Sequence, residues 1–315
     1  MKKKCLLIGG AGFIGKRLAA GLGNSGYNIT ICDRLNKKDI PLDIADYNYF
    51  YIDYFNENFS DEIIKNQDLI ILLISSIGPS SSIEASEKCY EKDIVRMIDL
   101  LEQMRKCNVS RMVFISSGGT VYGNQKTEVL SENMITSPIN HYGIMKLTQE
   151  KILLMYNELY GMKNVIFRLS NPYGKGQRAS SGVGVITTFL ENIIFGKKVV
   201  IYGDGEIIRD YIFIDDAVEM IRLFLDKEDR EYYDVPVFNI GTGIGTSIMQ
   251  VVRAIEEITG KVADIEYKDI RNVDVKKNVL DISKILLAIG NYRCLSLLEG
   301  IKKYYEMKKK EDFYE

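Results

Sequence analysis

Between the short apolar run Cys5–Ile8 and a helical pattern opening at Gly15 stands GGAGFIG, the stretch that most restricts how this chain can fold. Gly9, Gly12 and Gly15 repeat as G-x-x-G-x-x-G at a strand-to-helix turn. Glycines there permit a tight turn, let the backbone approach a pyrophosphate, and bring helix and sheet close together. The helix N-terminus adds amide donors and the positive end of its dipole. Asp33 closes the next apolar run, NITICD, 21 residues after Gly12. A carboxylate at that place accepts hydrogen bonds from ribose hydroxyls and repels a 2′-phosphate, which favours NAD over NADP. Its neighbour Arg34 is the kind of residue a 2′-phosphate seeks. Asp53 follows a third run and is placed either to reach adenine or to cap a turn.

The same alternation continues for half the chain. CLLIGG, NITICD, YFYID, DLIILLI, RMVFISS and, later, NVIFRLS read as buried parallel strands, with helical patterns between them. In SEKCYEKDIVRMIDLLEQMRKCN, Ile94, Ile98 and Leu101 recur at helical spacing, whereas Glu91, Lys92, Arg96 and Arg105 suit solvent. The expected fold is α/β: a doubly wound parallel (Rossmann) sheet with a second, smaller α/β substrate domain. Residues 1–171 form the first domain, with about 212–240 folding back onto it through VPVFNIG; 172–315 form the second.

Composition excludes several classes. With 41 Lys+Arg against 43 Asp+Glu, the formal net charge is −2. That balance gives no footprint for nucleic acid or an anionic membrane. The apolar run after MKKK is too short for a signal peptide or a membrane span. Cys5, Cys32, Cys89, Cys107 and Cys294 are scattered without a C-x-x-C pair. They point to a reducing cytoplasm and to no structural metal. The single histidine, His141, excludes any site needing two imidazoles.

Chemistry enters at SPINHYGIMK, where Tyr142 and Lys146 stand four residues apart on an expected helix. Four residues are about one turn, so both side chains share a face. An ammonium beside a phenol favours the phenolate and brings its pKa toward the working range. His141, one residue earlier, points about 100° away and reads as structural. Tyr47, Tyr49, Tyr51 and Tyr54 read as strand packing.

Taken together, GGAGFIG, Asp33, SSGGTVYG, Y-x-x-x-K, RLSNPYG, YGDGEIIRDYIFIDD and FNIGTG resemble the landmarks of the extended short-chain dehydrogenases/reductases. Within them the chain is most similar to the NAD-dependent sugar-nucleotide epimerases and dehydratases of UDP-glucose 4-epimerase type. The likeness runs from Lys4 to about Gly300. It implies that Tyr142 is the acid/base at a sugar hydroxyl and that Lys146 binds nicotinamide ribose. Phe13, Ile14, Tyr54, Ile74, Ser75 and Ser116 would border the cofactor. Asn171 and the arginines Arg209 and Arg271 would hold the diphosphate. Val185, Ile186, Val200 and Tyr202 would line the nucleotide side, with Asn278 gating a 2-N-acetyl group. The implied substrate is a UDP-hexose, and the implied assembly is a homodimer built on helices after the fourth and fifth strands; Met97, Leu100 and Met104 suit either its contacts or core packing.

Three places depart from the family pattern. Gly118 stands where a serine or threonine usually relays the sugar proton, leaving Thr120 or Ser117 to take over, or Tyr142 to contact the 4-hydroxyl directly. The fourth strand ends in LLISSIGPSSS, and Asp93 replaces a cofactor-side asparagine. The expected activity is inversion of carbon 4 of a nucleotide-linked hexose through a 4-keto sugar. A one-way NAD(P)H-dependent 4-keto reductase and a non-catalytic NAD sensor are the competing readings. A 4,6-dehydratase is disfavoured, because Gly119 and Thr120 occupy the places of its acidic pair.

Overall fold

The computed structural model describes residues 2–36, 39–78, 87–178, 184–227, 236–269 and 275–312. Along the chain, β1 (Lys4–Ile8), α1 (Phe13–Asn24), β2 (Asn28–Asp33), β3 (Asn48–Tyr51), α2 (Asp61–Ile64) and β4 (Leu69–Leu72) come first. Next are α3 (Glu87–Tyr90), a π-helical turn at Glu91–Val95, α4 (Arg96–Lys106), β5 (Met112–Ser117), α5 (His141–Tyr160) and β6 (Val165–Leu169). Then come β7 (Asn171–Tyr173), α6 (Val185–Ile194), β8 (Val199–Tyr202), β9 (Ile208–Phe213), α7 (Ile214–Asp226) and β10 (Val237–Ile240). The chain continues with β11 (Gly245–Ser247), α8 (Ile248–Thr259), β12 (Ile265–Lys268), β13 (Lys277–Asn278), α9 (Ser283–Ile289) and α10 (Leu297–Asp312).

The chain divides into two compact units. One comprises Met1–Ser117, His141–Arg168 and Val218–Phe238; the other comprises Gly118–Asn140, Leu169–Ala217 and Asn239–Glu315. Contacts thus assign residues 118–140 to the second unit, although they lie inside the 1–171 span expected from sequence.

The first unit holds a seven-stranded sheet in the order β10-β6-β5-β4-β1-β2-β3. Its β1–β2, β1–β4, β2–β3 and β4–β5 pairs are parallel. Continuous apolar runs form these strands because helices cover both faces, so every residue of β4 and β6 is buried. Strand order reverses between β1 and β4, the switch point at which doubly wound sheets bind ligands.

The helix after β4 differs from its sequence pattern. Its inward stripe is Asp93, Met97, Leu100, Leu101 and Met104, all buried, whereas Ile98 is exposed. A π turn at Glu91–Val95 precedes these residues, and Met97, Leu100 and Met104 lie in the core. Arg96 packs over the Tyr54 ring and donates to the Tyr54 carbonyl at 2.7 Å.

The second unit centres on β9, which pairs with β11, β13 and β7. A two-stranded β12-β8 ladder and a core of α6, α8 and α10 residues complete it. Asp210 of β9 is fully buried. Its carboxylate accepts from the Thr242 amide and hydroxyl and from the Gly243 and Leu280 amides. Burial raises its pKa, against those hydrogen bonds. Among the described residues, no helix is long and apolar enough to cross a membrane.

Candidate active site

In the first unit the glycine turn lies at the switch point. Gly9 has φ +85°, and a Cβ there would lie 2.9 Å from Ile74 Cγ2, so the turn abuts the end of β4. A Cβ on Gly15 would stand 2.5 Å from the Gly9 carbonyl oxygen and 2.6 Å from Gly10 Cα; only glycine lets α1 start this close to the turn. Helix α1 begins at Gly12 with no side-chain cap and no acidic residue in its first turn. Its first amides and its dipole are therefore left for an anion. Phe13 and Ile14 open that helix, both half-buried. Asp33 accepts from the Ala11 amide at 3.0 Å and the Arg34 amide at 2.8 Å, tying the end of β2 to the glycine turn, while Arg34 is exposed. The cradle suits a dinucleotide pyrophosphate.

Two expected cofactor neighbours turn inward instead. The Tyr54 ring is buried against Phe55 and Phe59 in the core. The Ser116 hydroxyl donates to buried Glu150 at 2.5 Å. Asp53 caps a turn, accepting from the Phe55 amide at 3.0 Å and Asn56 Nδ2 at 2.8 Å.

Tyr142 and Lys146 share one face of α5, with Lys146 Nζ 5.7 Å from the Tyr142 ring centroid. The ammonium donates to the Ile115 carbonyl at 3.1 Å and lies 4.5 Å from the Phe114 ring centroid. Burial lowers its pKa to about 8, with the Asp93 and Glu150 charges holding it up. The Tyr142 phenol is pushed well above its ordinary value, first by burial and then by the Asp93 carboxylate; a hydrogen bond with Ser117 opposes the rise. This differs from the sequence expectation of a phenol drawn toward neutrality, because desolvation of the phenolate is the largest contribution. Ser117 is thus the hydroxyl in contact with the phenol. His141 Nδ1 lies 2.6 Å from the Tyr90 hydroxyl, an arrangement that anchors the start of α5.

Sequence reasoning passed over the charges beneath this pair. Arg168 meets Glu150 through its Nε at 3.1 Å and its terminal nitrogen at 2.7 Å, and both side chains are buried. An arginine inside the apolar strand VIFRL was the available signal, since a buried guanidinium demands a buried carboxylate.

In the second unit, three expected substrate residues come together on neighbouring strands. Asn278 of β13 is in register with Arg209 of β9, and Asn171 of β7 with Tyr211 of β9. Residues in register point to one face, and Arg209 and Tyr211 share it by alternation; Asp210 faces the other way. Asn171 Nδ2 donates to the Asp210 carbonyl at 2.8 Å, and Asn278 Nδ2 to the Gly118 carbonyl at 2.9 Å. The buried oxygens Thr120 Oγ1, Ser170 Oγ, Tyr211 Oη and Asn278 Oδ1 have no hydrogen-bond partner among the described residues. A ligand rich in hydroxyl and phosphate oxygens is the chemistry that satisfies such atoms. Val200 and Tyr202 alternate with buried Val199 and Ile201 on β8. Tyr202, Tyr267, Lys268 and Asp269 line an open hollow of about 580 Å³. Val185 is partly buried at the start of α6, and Ile186 sits wholly in the core. Arg271 lies outside the described residues.

The model of the NAD dependent epimerase/dehydratase family matches residues 5–241. A putative UDP-glucose 4-epimerase of Methanocaldococcus jannaschii is 30% identical over 302 residues, covering 95% of this chain and 96% of that protein. A dTDP-4-dehydro-6-deoxyglucose reductase of Escherichia coli is 28% identical over 309 residues, with 96% of each chain covered. Among solved structures, the UDP-glucose 4-epimerase of Thermotoga maritima with UDP-glucose superposes with TM-score 0.86 at 32% identity. That match covers 98% of this chain and 99% of the other.

Proposed function

This chain belongs to the NAD-dependent epimerase/dehydratase family, and from that premise we propose that it inverts carbon 4 of a nucleotide-linked hexose. The substrate is UDP-glucose/UDP-galactose or their N-acetyl forms, and a 4-keto sugar is the transient intermediate. The observation that carries the reading is the Tyr142–Lys146 face of α5, with the Ser117 hydroxyl hydrogen-bonded to the phenol.

When bound, the dinucleotide supplies a hydride acceptor that can return what it takes, so no net oxidant is consumed. Asp33 and the glycine turn would bind it, and the protonated Lys146 would hold its ribose. Tyr142 Oη takes the proton of the 4-hydroxyl and later gives it back, with Ser117 relaying in place of the hydroxyl missing at Gly118. Asn171 and Arg209, with Arg271, grip the diphosphate; a guanidinium fork suits phosphate oxygens better than an ammonium does. The nucleotide stays held while the sugar presents its other face. The modest size of Asn278 supports acceptance of N-acetylhexosamines.

A 4-keto reductase is the second reading, favoured by Gly118 and by the E. coli reductase among the relatives. Purified protein given UDP-glucose without added cofactor is expected to form UDP-galactose, and to convert UDP-N-acetylglucosamine likewise. No interconversion of either, together with NAD(P)H oxidation on a dTDP-4-keto-6-deoxy sugar, would assign the reductase instead.

The homodimer belongs to the same proposal, with a different contact set. Val95 and Ile98, and Ile144, Met155 and Leu159 on α5, are exposed apolar residues at helical spacing. Exposed stripes of this kind mark interaction surfaces. Met155→Glu is expected to convert a dimer to a monomer in sedimentation or light scattering; a wild-type monomer refutes the assembly.

A further inference from the structure

Asp93 occupies a core position of its helix. It lies one turn before Met97 on the buried stripe and is 1% exposed. A carboxylate at such a place is costly unless something holds its charge. Three hydrogen-bond contacts do part of this: from Ser75 Oγ at 3.0 Å, and from the Ser76 amide at 2.9 and 3.2 Å to its two oxygens. All come from neutral donors at the end of β4. No ion pair with Asp93 within 4 Å is found among the described residues. The Asp93 carbonyl accepts from Gln149 Nε2 at 3.3 Å, which links the π turn to α5 one turn beyond Lys146.

We propose that Asp93 is a positioning residue for proton transfer, a buried fixed charge that holds the Tyr142–Lys146 pair in its protonated form. Asp93 lies within the π turn, on the same buried stripe as Met97, while Ile98 is exposed. The sign comes from electrostatics: a nearby negative charge stabilises an ammonium and disfavours a phenolate. Both effects are present, because the Asp93 charge raises the pKa of Lys146 and of Tyr142 alike. The other groups facing the pair are Glu150 from α5, itself neutralised by Arg168 of β6, and the Ser117 hydroxyl of β5. Around Asp93 itself stand Tyr54, whose phenol also feels its charge, and Arg96, which packs over that ring. The consequence is a site that rests with the proton on the phenol, which must lose it before it can take the proton of a sugar hydroxyl.

The inference rests on the reading of Tyr142 and Lys146 as the proton-transfer pair, so its test has one arm independent of turnover. Asp93→Asn keeps the shape and can still accept from Ser76 and donate to Ser75, but lacks the charge. The Lys146 ¹³Cε resonance, assigned with Lys146→Met, is followed against pH in the purified protein. In Asp93→Asn the lysine is expected to titrate about half a pH unit or more below the wild type. The whole pH profile of kcat/KM moves in the same direction. Ser75→Ala removes one hydrogen bond and leaves the charge, so its lysine titrates no lower than the wild type. If Asp93→Asn and Ser75→Ala shift the lysine alike, or neither shifts it, Asp93 is a structural residue and the proposal fails. If the lysine shifts as expected and no sugar nucleotide turns over, the electrostatic assignment stands and only the functional reading is lost.

Discussion

Tyr142→Phe is expected to lower turnover by about 10²- to 10⁴-fold, the range for losing a positioned acid/base, while leaving the dinucleotide bound. The substitution removes one oxygen. The ring remains over the Lys146 ammonium, and the glycine turn, Asp33 and Lys146 are untouched. Binding and proton transfer should therefore separate. Nucleotide released on denaturation is expected to match the wild type per mole of protein, while UDP-glucose conversion collapses. The pH profile carries a second signature. In the wild type the raised phenol must lose its proton to act, so activity climbs with pH on the acid side. It then levels off as the pH passes the lysine's value of about 8, because above that value the gain in phenolate is matched by the loss of ammonium. In the variant the acid-side slope disappears with its phenol. Undiminished turnover would move the acid/base role to another residue.

How much of this was legible in the sequence depends on whether a feature is local. The strands β1, β4 and β6 were readable because a strand buried on both faces must be continuously apolar. The glycine turn was readable because its residues are neighbours in the chain, and Tyr142 and Lys146 because one helical turn joins them. In the helix after β4, periodicity alone could not choose between two stripes one residue apart. Ile94, Ile98 and Leu101 fit helical spacing, and so do Asp93, Met97, Leu100 and Met104, which are the buried ones, so a carboxylate at Asp93 hid the inward face. Long-range pairing was also hidden: nothing local in KNVLD announces that Asn278 reaches the Gly118 carbonyl, 160 residues away. Ser116 and Tyr54 sit at cofactor-lining places in the motif, yet Ser116 spends its hydroxyl on Glu150 and Tyr54 packs into the core. Motif position assigns a residue to a neighbourhood, and only packing decides which way its side chain points.

The buried pair under the active face should be the most sensitive structural point of the first unit. Glu150→Ala is expected to destabilise the protein by about 3–5 kcal/mol, the cost of breaking a buried ion pair from one side. That corresponds to a Tm lower by an amount on the order of 10 °C. Arg168 would be left 6% exposed with its principal counter-charge gone, and a guanidinium cannot shed its proton to escape. Ser116 would lose its acceptor as well. Arg168→Met is not the mirror image. The carboxylate it strands can take up a proton and become neutral, so that variant should regain stability as the pH falls, whereas Glu150→Ala should not. Replacing both, as Glu150→Leu with Arg168→Met, removes the two charges together and should recover most of the loss, since apolar side chains of similar volume commonly replace buried ion pairs without penalty. Melting curves of the three variants at pH 6 and pH 8 test this directly. A Glu150→Ala protein as stable as the wild type, or a double variant no better than the single one, would show that Arg168 is satisfied by groups other than Glu150.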